Sequence, residues 1–297
     1  MIGIGGGGDV VGALAAAGIA ERLGTRAELG GLTWERRPID PLPGPRHLDE
    51  VADAERLHAA AALAGPATSG PGGFLFAESG MAGVLGRPTV LIDPNPGSAV
   101  CGAGIAAAAE HLRCDLVVLL DVGGDVLAHG DEPGLASPLA DAVLLAAAPV
   151  IAAAGMCAIG AVFGAGCDGE LTPVEVLERI AEVDAAGGGM GVDTLAPAIV
   201  GSIEAAAERV PTEASAMAAR CARGQTGPVP IRGGRRTVEL SAAGGLVHWF
   251  DPERAIASAA RLAAAVAGAP DLAAADAALA ARGVRTELAY ERDAAAG

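Results

Sequence analysis

The sequence predicts an α/β protein: a Rossmann-like, doubly wound, mostly parallel sheet with helices on both faces and a C-terminal β-hairpin decoration. Three observations predict it. Short apolar runs alternate with helix-length segments along most of the chain. Two of these runs, 1–4 and 116–120, lead into near-identical glycine turns with an acid at the exit, Gly7-Gly8-Asp9 and Gly123-Gly124-Asp125. Two further runs, 236–240 and 246–250, flank Gly244-Gly245, as the arms of a hairpin flank its turn.

The elements follow in order. Residues 1–4 form a strand and 9–23 a helix, with Asp9 at its start and Gly24 as its stop. Residues 25–34 read as a second strand, interrupted by Gly30-Gly31. Pro38, Pro41, Pro43 and Pro45 make the next stretch an extended loop. Leu48, Val51, Leu57 and Leu63, set among acids and alanines, predict an amphipathic helix over 48–63. Residues 72–77 are a strand or the approach to a helix over 78–85. A strand at 89–93 ends at Pro94, a helix covers 97–112, and a strand covers 115–121. A helix over 138–154 and a strand over 156–163 come next, closed by the glycine-rich 164–169. Thr172 caps a helix that starts at Pro173, has Glu175 in its first turn and runs to about 186. The glycines of 187–191, with Asp193, read as a linker or a flap. Helices are expected over 195–210, 211–222, 251–266 and 270–281, and an edge strand over 284–290. No linker demands a division. One domain over 1–297 is expected, with the core sheet and both turns in 1–170 and a helical and hairpin extension in 171–297.

Composition narrows the function. Residues of the hydrophobic class make up 52% of the 297 and aromatics only 2%, so Leu, Val, Ile and Ala must build the core. The net charge of −16, without an arginine tract or stacking aromatics, argues against nucleic acid. No uncharged apolar run reaches membrane-spanning length, and no basic leader precedes the first glycine cluster. The five cysteines form no CxxC pair and fit reduced thiols in a cytoplasm. All 20 basic residues are arginine. The absence of lysine removes Schiff-base chemistry, pyridoxal phosphate anchoring and the Walker lysine.

The candidate site grows from the two turns. Gly5, Gly6, Gly7 and Gly8, with Gly123 and Gly124, offer backbone N–H groups to an anionic small molecule. In a doubly wound sheet the first and fourth strands are neighbours, which would place both turns on one crevice. Asp9, Asp121 and Asp125 would meet there as oxygen ligands for Mg2+ or Mn2+, with Asp121 and Asp125 foremost, or else Asp9 and Asp125 serve only as acids at helix starts. His129 is the nearest histidine and a candidate acid or base. Ser137 either caps the helix at Pro138 or binds ligand, and Asp141 belongs to that helix. Gly3, Gly5 and Gly8 also fit G-x-G-x-x-G after a strand. Glu35 would then meet a ribose, and Arg36 and Arg37 a 2′-phosphate. Trp34 packs in the core or stacks on a base. Asp93 ends the third strand and lines the same crevice.

Gly-Ile-Gly-Gly-Gly-Gly-Asp-Val-Val-Gly (3–12), Thr-Trp-Glu-Arg (33–36), Asp-Pro-Leu-Pro-Gly-Pro-Arg (40–46), Asp-Val-Gly-Gly-Asp-Val-Leu-Ala (121–128) and Ser-Pro-Leu-Ala-Asp-Ala (137–142) together resemble the archaeal and bacterial family of domain of unknown function 1152. The resemblance covers nearly the whole chain. It implies that these motifs belong together and implies no reaction. The turn at 121–125 also resembles the acidic metal turn of α/β carbohydrate-phosphate phosphatases, without the asparagine that follows their first acid. The expected function is metal-assisted hydrolysis or group transfer on a phosphorylated or nucleoside- or sugar-type metabolite. A nicotinamide- or flavin-dependent oxidoreductase and a non-catalytic nucleotide sensor are the alternatives.

Overall fold

The computed structural model of the chain describes residues 1–296; Gly297, the end of the expected extension, lies outside the described residues. Strand β1 (Ile2–Gly3) passes through the first glycine turn into helices α1 (Asp9–Gly12) and α2 (Leu14–Arg22). Strands β2 (Gly30–Leu32), β3 (Ala52–His58) and β4 (Ala61–Ser69) follow. Then come α3 (Ala77–Leu85), β5 (Thr89–Ile92), α4 (Gly97–His111) and β6 (Leu116–Val122). The second glycine turn leads to a 3-10 turn, Asp125–Leu127, then α5 (Pro138–Leu145), α6 (Ala148–Ala153) and β7 (Cys157–Phe163). The rest comprises α7 (Pro173–Ala185), β8 (Gly189–Thr194), α8 (Pro197–Ala207), α9 (Ala214–Ala222), β9 (Gly227–Ile231), β10 (Arg236–Leu240) and β11 (Leu246–Phe250). Helices α10 (Pro252–Ile256), α11 (Arg261–Val266), α12 (Leu272–Ala280) and α13 (Glu287–Ala296) close it.

Nine strands form one mixed sheet in the order β3-β4-β5-β2-β1-β6-β7-β11-β8. The five central strands, β5 through β7, pair in parallel. The strands outside them join antiparallel. Buried parallel strands read as unbroken apolar runs because each face meets a core. In β6, Val117 and Leu119 enter one apolar cluster while Val118, Leu120 and Val122 enter another. Helices α4, α5, α11 and α12 supply the first cluster, and α2, α8 and α9 the second. Strand β1 lies beside β6, with Gly3 opposite Leu120, so the two glycine turns leave the sheet side by side.

Several expectations need correction. Residues 48–63 are not a helix but contribute most of the β3–β4 pair. Ala61 and Leu63 join one cluster and Ala62 and Ala64 another, a period of two that overrides the helix preference of alanine. The hairpin of 236–240 with 246–250 does not form. Strand β10 pairs with β9 in a separate two-stranded sheet, and β11 inserts between β7 and β8. Gly244 and Gly245 do not turn a hairpin; they press against α9, where a Cβ on Gly245 would stand 2.8 Å from the Ala222 backbone. The stretch read as linker or flap is β8, held along β11 with the Asp193 carboxylate accepting from Trp249 Nε1 (2.8 Å). The edge strand expected at 284–290 is the start of α13, where Thr286 Oγ1 accepts from the Ala289 amide (3.3 Å).

The cap on α7 is as read. The Glu175 amide donates to Thr172 Oγ1 (3.2 Å), and the Glu175 carboxylate accepts from the Thr172 amide (2.7 Å). Thr172→Ala is expected to cost about 1 kcal/mol, read as a lowered midpoint in chemical denaturation.

Candidate functional site

The carboxyl ends of β1, β6 and β7 meet at one place, and each strand delivers acids there. Asp9 follows β1, Asp121 and Asp125 lie at the end of β6, and Asp168 and Glu170 follow β7. Asp141, one turn into α5, completes the group. All six are buried. Asp9, Asp121 and Asp141 each bring a carboxylate oxygen within 4.8 Å of the others, and Asp125, Asp168 and Glu170 do the same.

Backbone amides hold part of this cluster. Asp9 Oδ2 accepts from Gly5 (3.1 Å) and from Val122 (3.3 Å), so it ties the first turn to β6. Asp121 Oδ2 accepts from Gly124 (2.8 Å) and Val126 (3.2 Å). Glu170 accepts from the amides of Ala136 and Ser137 (2.7 Å each) and from the Ser137 hydroxyl, and it faces Arg232 (3.6 Å) and Arg236 (3.4 Å). Asp141 differs. It is 1% exposed, and its Oδ1 has no hydrogen-bond partner among the described residues.

Burial and mutual repulsion both favour the protonated acids. Burial pushes Asp9 up to about 7 against the pull of its two amides and Arg36. Burial, with the neighbouring Glu170 charge, carries Asp168 to about 7. Asp121 is driven well above the carboxylate range by burial and then by Asp9 and Asp168. Asp125 rises through burial, then Asp141 and Asp121; Asp141 through burial, then Asp121 and Asp9.

One guanidinium stands beside the acids. Arg36 Nη2 donates to the Gly5 carbonyl (2.7 Å), and the group lies 3.7 Å from Glu287, 3.5 Å from Glu291 and 4.8 Å above the Trp34 ring. Its Nη1 is buried and makes the contact with Glu291. Burial works against the charge, but the surrounding carboxylates outweigh it and hold Arg36 ionised.

The other expected site residues are placed as follows. Four of the six glycine amides are already engaged: Gly5 by Asp9, Gly7 by the Trp34 carbonyl (2.8 Å), Gly123 by the Phe163 carbonyl (3.0 Å) and Gly124 by Asp121. Gly6 and Gly8 keep theirs free of protein acceptors among the described residues. The turns are glycine for space as well. A Cβ on Gly5 would stand 2.6 Å from Asp9 Oδ2, and one on Gly123 2.4 Å from Asp168 Cγ. Glu35 accepts from Ala77 at the start of α3 (2.5 Å); burial pushes it to about 7. Arg37 bonds the carbonyls of Pro41 and Ala294. Trp34 is fully buried and donates to Glu291. His129 bonds Glu182 (2.9 Å) and Arg179 on α7, not the acids. Ser137 makes no side-chain cap and donates to Glu170.

Asp93 sits at the end of β5 and accepts from Asn95 (2.9 Å) and Leu48 (3.1 Å). It lines a surface cleft of about 200 Å³ with His47, Arg56 and Asn95, beside a second of about 460 Å³. Neither cleft is lined by an acid of the cluster, and Asp93 and Arg56 there already have protein partners. The buried acids, whose charged forms are disfavoured by burial and by one another, are the stronger candidate for chemistry.

Sequence reasoning missed Asp168, Glu170 and Glu287. The first two carry a readable signal: Gly164, Gly166 and Asp168 repeat, after a third strand, the pattern of strand, glycine and acid. Glu287 carries none; it accepts from Leu139 (3.0 Å) and Ala140 (2.9 Å) at the start of α5 from nearly 150 positions away.

Fold and cluster together define a class: an α/β protein with a buried carboxylate centre at the carboxyl ends of its parallel strands. The family model described as Protein of unknown function (DUF1152) matches residues 1–295, and the chain belongs to that family. No curated protein and no solved structure matches the chain.

Proposed function

We propose that this protein is an enzyme in which Asp9, Asp121 and Asp141 hold a divalent cation, Mg2+ or Mn2+, for hydrolysis or group transfer on a small phosphorylated or nucleoside- or sugar-type metabolite. The observation that carries this is the buried Oδ1 of Asp141, without a hydrogen-bond partner among the described residues, beside two more buried carboxylates. Hard oxygen donors in that number suit such an ion. A bound ion would supply charge neutralisation and a water of lowered pKa. Asp125, next to the triad, would take the proton from the attacking group once the ion neutralises the Asp141 and Asp121 charges that disfavour its ionised form. Arg36, held ionised beside the acids, would hold the anionic part of the substrate.

We also read the sheet as Rossmann-like. Numbered along the chain, the parallel strands lie in the order third, second, first, fourth, fifth. Ligands of such sheets bind where the order reverses, here between β1 and β6, where Asp9 and Asp121 stand. A dinucleotide fits less well. The Asp9 carboxylate occupies the first turn, and Glu35 is committed to α3.

The test is a Mn2+ titration by calorimetry at pH 8, followed by a screen of nucleotides and sugar phosphates for product with and without the ion. Saturable binding and ion-dependent turnover are expected. No heat of Mn2+ binding would reject the proposal; binding of a nucleotide without its consumption would favour a sensor.

A further inference from the structure

We propose that Cys167 and Cys221 are a redox-active pair, converted by a peroxide into a disulfide that ties the loop after β7 to helix α9. This does not depend on the metal reading. The two Sγ atoms stand 3.7 Å apart although the residues are 54 positions apart in sequence. Both side chains are buried. Gly244 closes over the pair: a Cβ there would lie 2.7 Å from Cys221 Sγ and 2.9 Å from Cys167 Sγ, so glycine leaves room for both sulfurs. A disulfide needs about 2.05 Å between sulfurs, so the two must close by less than their present 3.7 Å separation.

The pair is chemically divided. Cys221 and Cys167 share one hydrogen bond; beyond it, a Ser241 backbone hydrogen bond and the Arg220 charge favour the Cys221 thiolate, whereas burial and the Asp168 charge disfavour that of Cys167. Cys221 is therefore the nucleophile near neutral pH. Its thiolate attacks one peroxide oxygen, the O–O bond breaks, and the released hydroxide takes a proton to become water. Cys221 is left as a sulfenic acid. The Cys167 sulfur then attacks the Cys221 sulfur. The S–S bond forms, the S–O bond breaks, and the thiol proton leaves with the oxygen as a second water. Two electrons pass from sulfur to peroxide.

The bond would fix a loop that matters to its neighbours. Cys167 adjoins Asp168, whose carboxylate lies over Gly123, and the Gly166 amide donates to the Gly123 carbonyl (2.8 Å). The other cysteines offer a control. Cys157 is exposed, whereas Cys101 is buried in α4 and donates to the Asp93 carbonyl (3.3 Å).

The experiment treats the full chain with hydrogen peroxide, blocks remaining thiols after unfolding, and maps the peptides by mass spectrometry. Two of the five thiols are expected to disappear into a Cys167–Cys221 cross-link that dithiothreitol reverses, and Cys221→Ser is expected to remove it. Oxidation of exposed Cys157 with Cys167 and Cys221 both still open to alkylation would overturn the proposal. The wild-type map alone decides if the variant does not fold.

Discussion

Asp141→Asn is expected to lose Mn2+ binding and turnover while melting at a higher temperature than the wild type at pH 8. The two effects have one cause. In the metal-free protein one oxygen of Asp141 has no hydrogen-bond partner among the described residues, and burial, Asp121 and Asp9 all disfavour its charged form. At pH 8, ionising such a group or holding its proton costs on the order of 1–3 kcal/mol or more, and asparagine is neutral while keeping the shape. The same substitution deletes an ion ligand. Changes to groups that only touch a ligand already cost about 10–100-fold in affinity, so loss of the ligand itself should exceed about 100-fold. Calorimetry with Mn2+ and a thermal melt check both halves. A variant that binds the ion as the wild type does would remove Asp141 from the centre. A variant that loses both binding and stability would assign it a structural role.

This opposition of stability and binding marks out what the sequence could reveal. The acids that follow a strand and a glycine turn, Asp9 and Asp125, were legible because that local pattern is short and occurs twice. Their meeting followed from strand neighbourhood, and the Gly3–Leu120 register realises it. Asp168 was overlooked because the glycines before it also read as a plain strand ending. The Arg36 environment could not be read at all. Its partners Glu287 and Glu291 lie on a helix about 250 positions later, and nothing local announces that α13 turns toward the first glycine turn. The β3–β4 region failed for a different reason. Alanine favours helices when solvent decides, but Ala61 to Ala64 are sealed on both faces of a sheet, where tertiary packing decides. The misplaced hairpin is of the same kind. Its strands exist, but each finds a better partner elsewhere.

Raising the pH from 5 to 8 is expected to destabilise the metal-free protein, and Mn2+ is expected to restore it at pH 8 but not at pH 5. The sign follows from the buried acids. Asp9 and Asp168 move from 3.8 to about 7, and Glu35 from 4.5 to about 7, each through burial first. Between those limits the folded chain holds protons that the unfolded chain has lost, so stability falls as pH rises through the window and stays low above it. Between pH 5 and a pKa of about 7, each such carboxyl contributes on the order of 3 kcal/mol; coupling among the acids makes the sum smaller than three separate contributions. His248, held below 6.5 by its burial, acts in the opposite direction, but it is one group against several. A fall in melting temperature of about 10 °C is the expected scale. A divalent ion competes with protons for the same oxygens, so its effect should grow as they leave. Melts across pH 5 to 8, with and without 1 equivalent or more of Mn2+, measure both. A flat pH profile would mean that the acids are ionised and satisfied without an ion. A fall that Mn2+ does not reverse would leave the protonated cluster as a structural feature with no metal to hold.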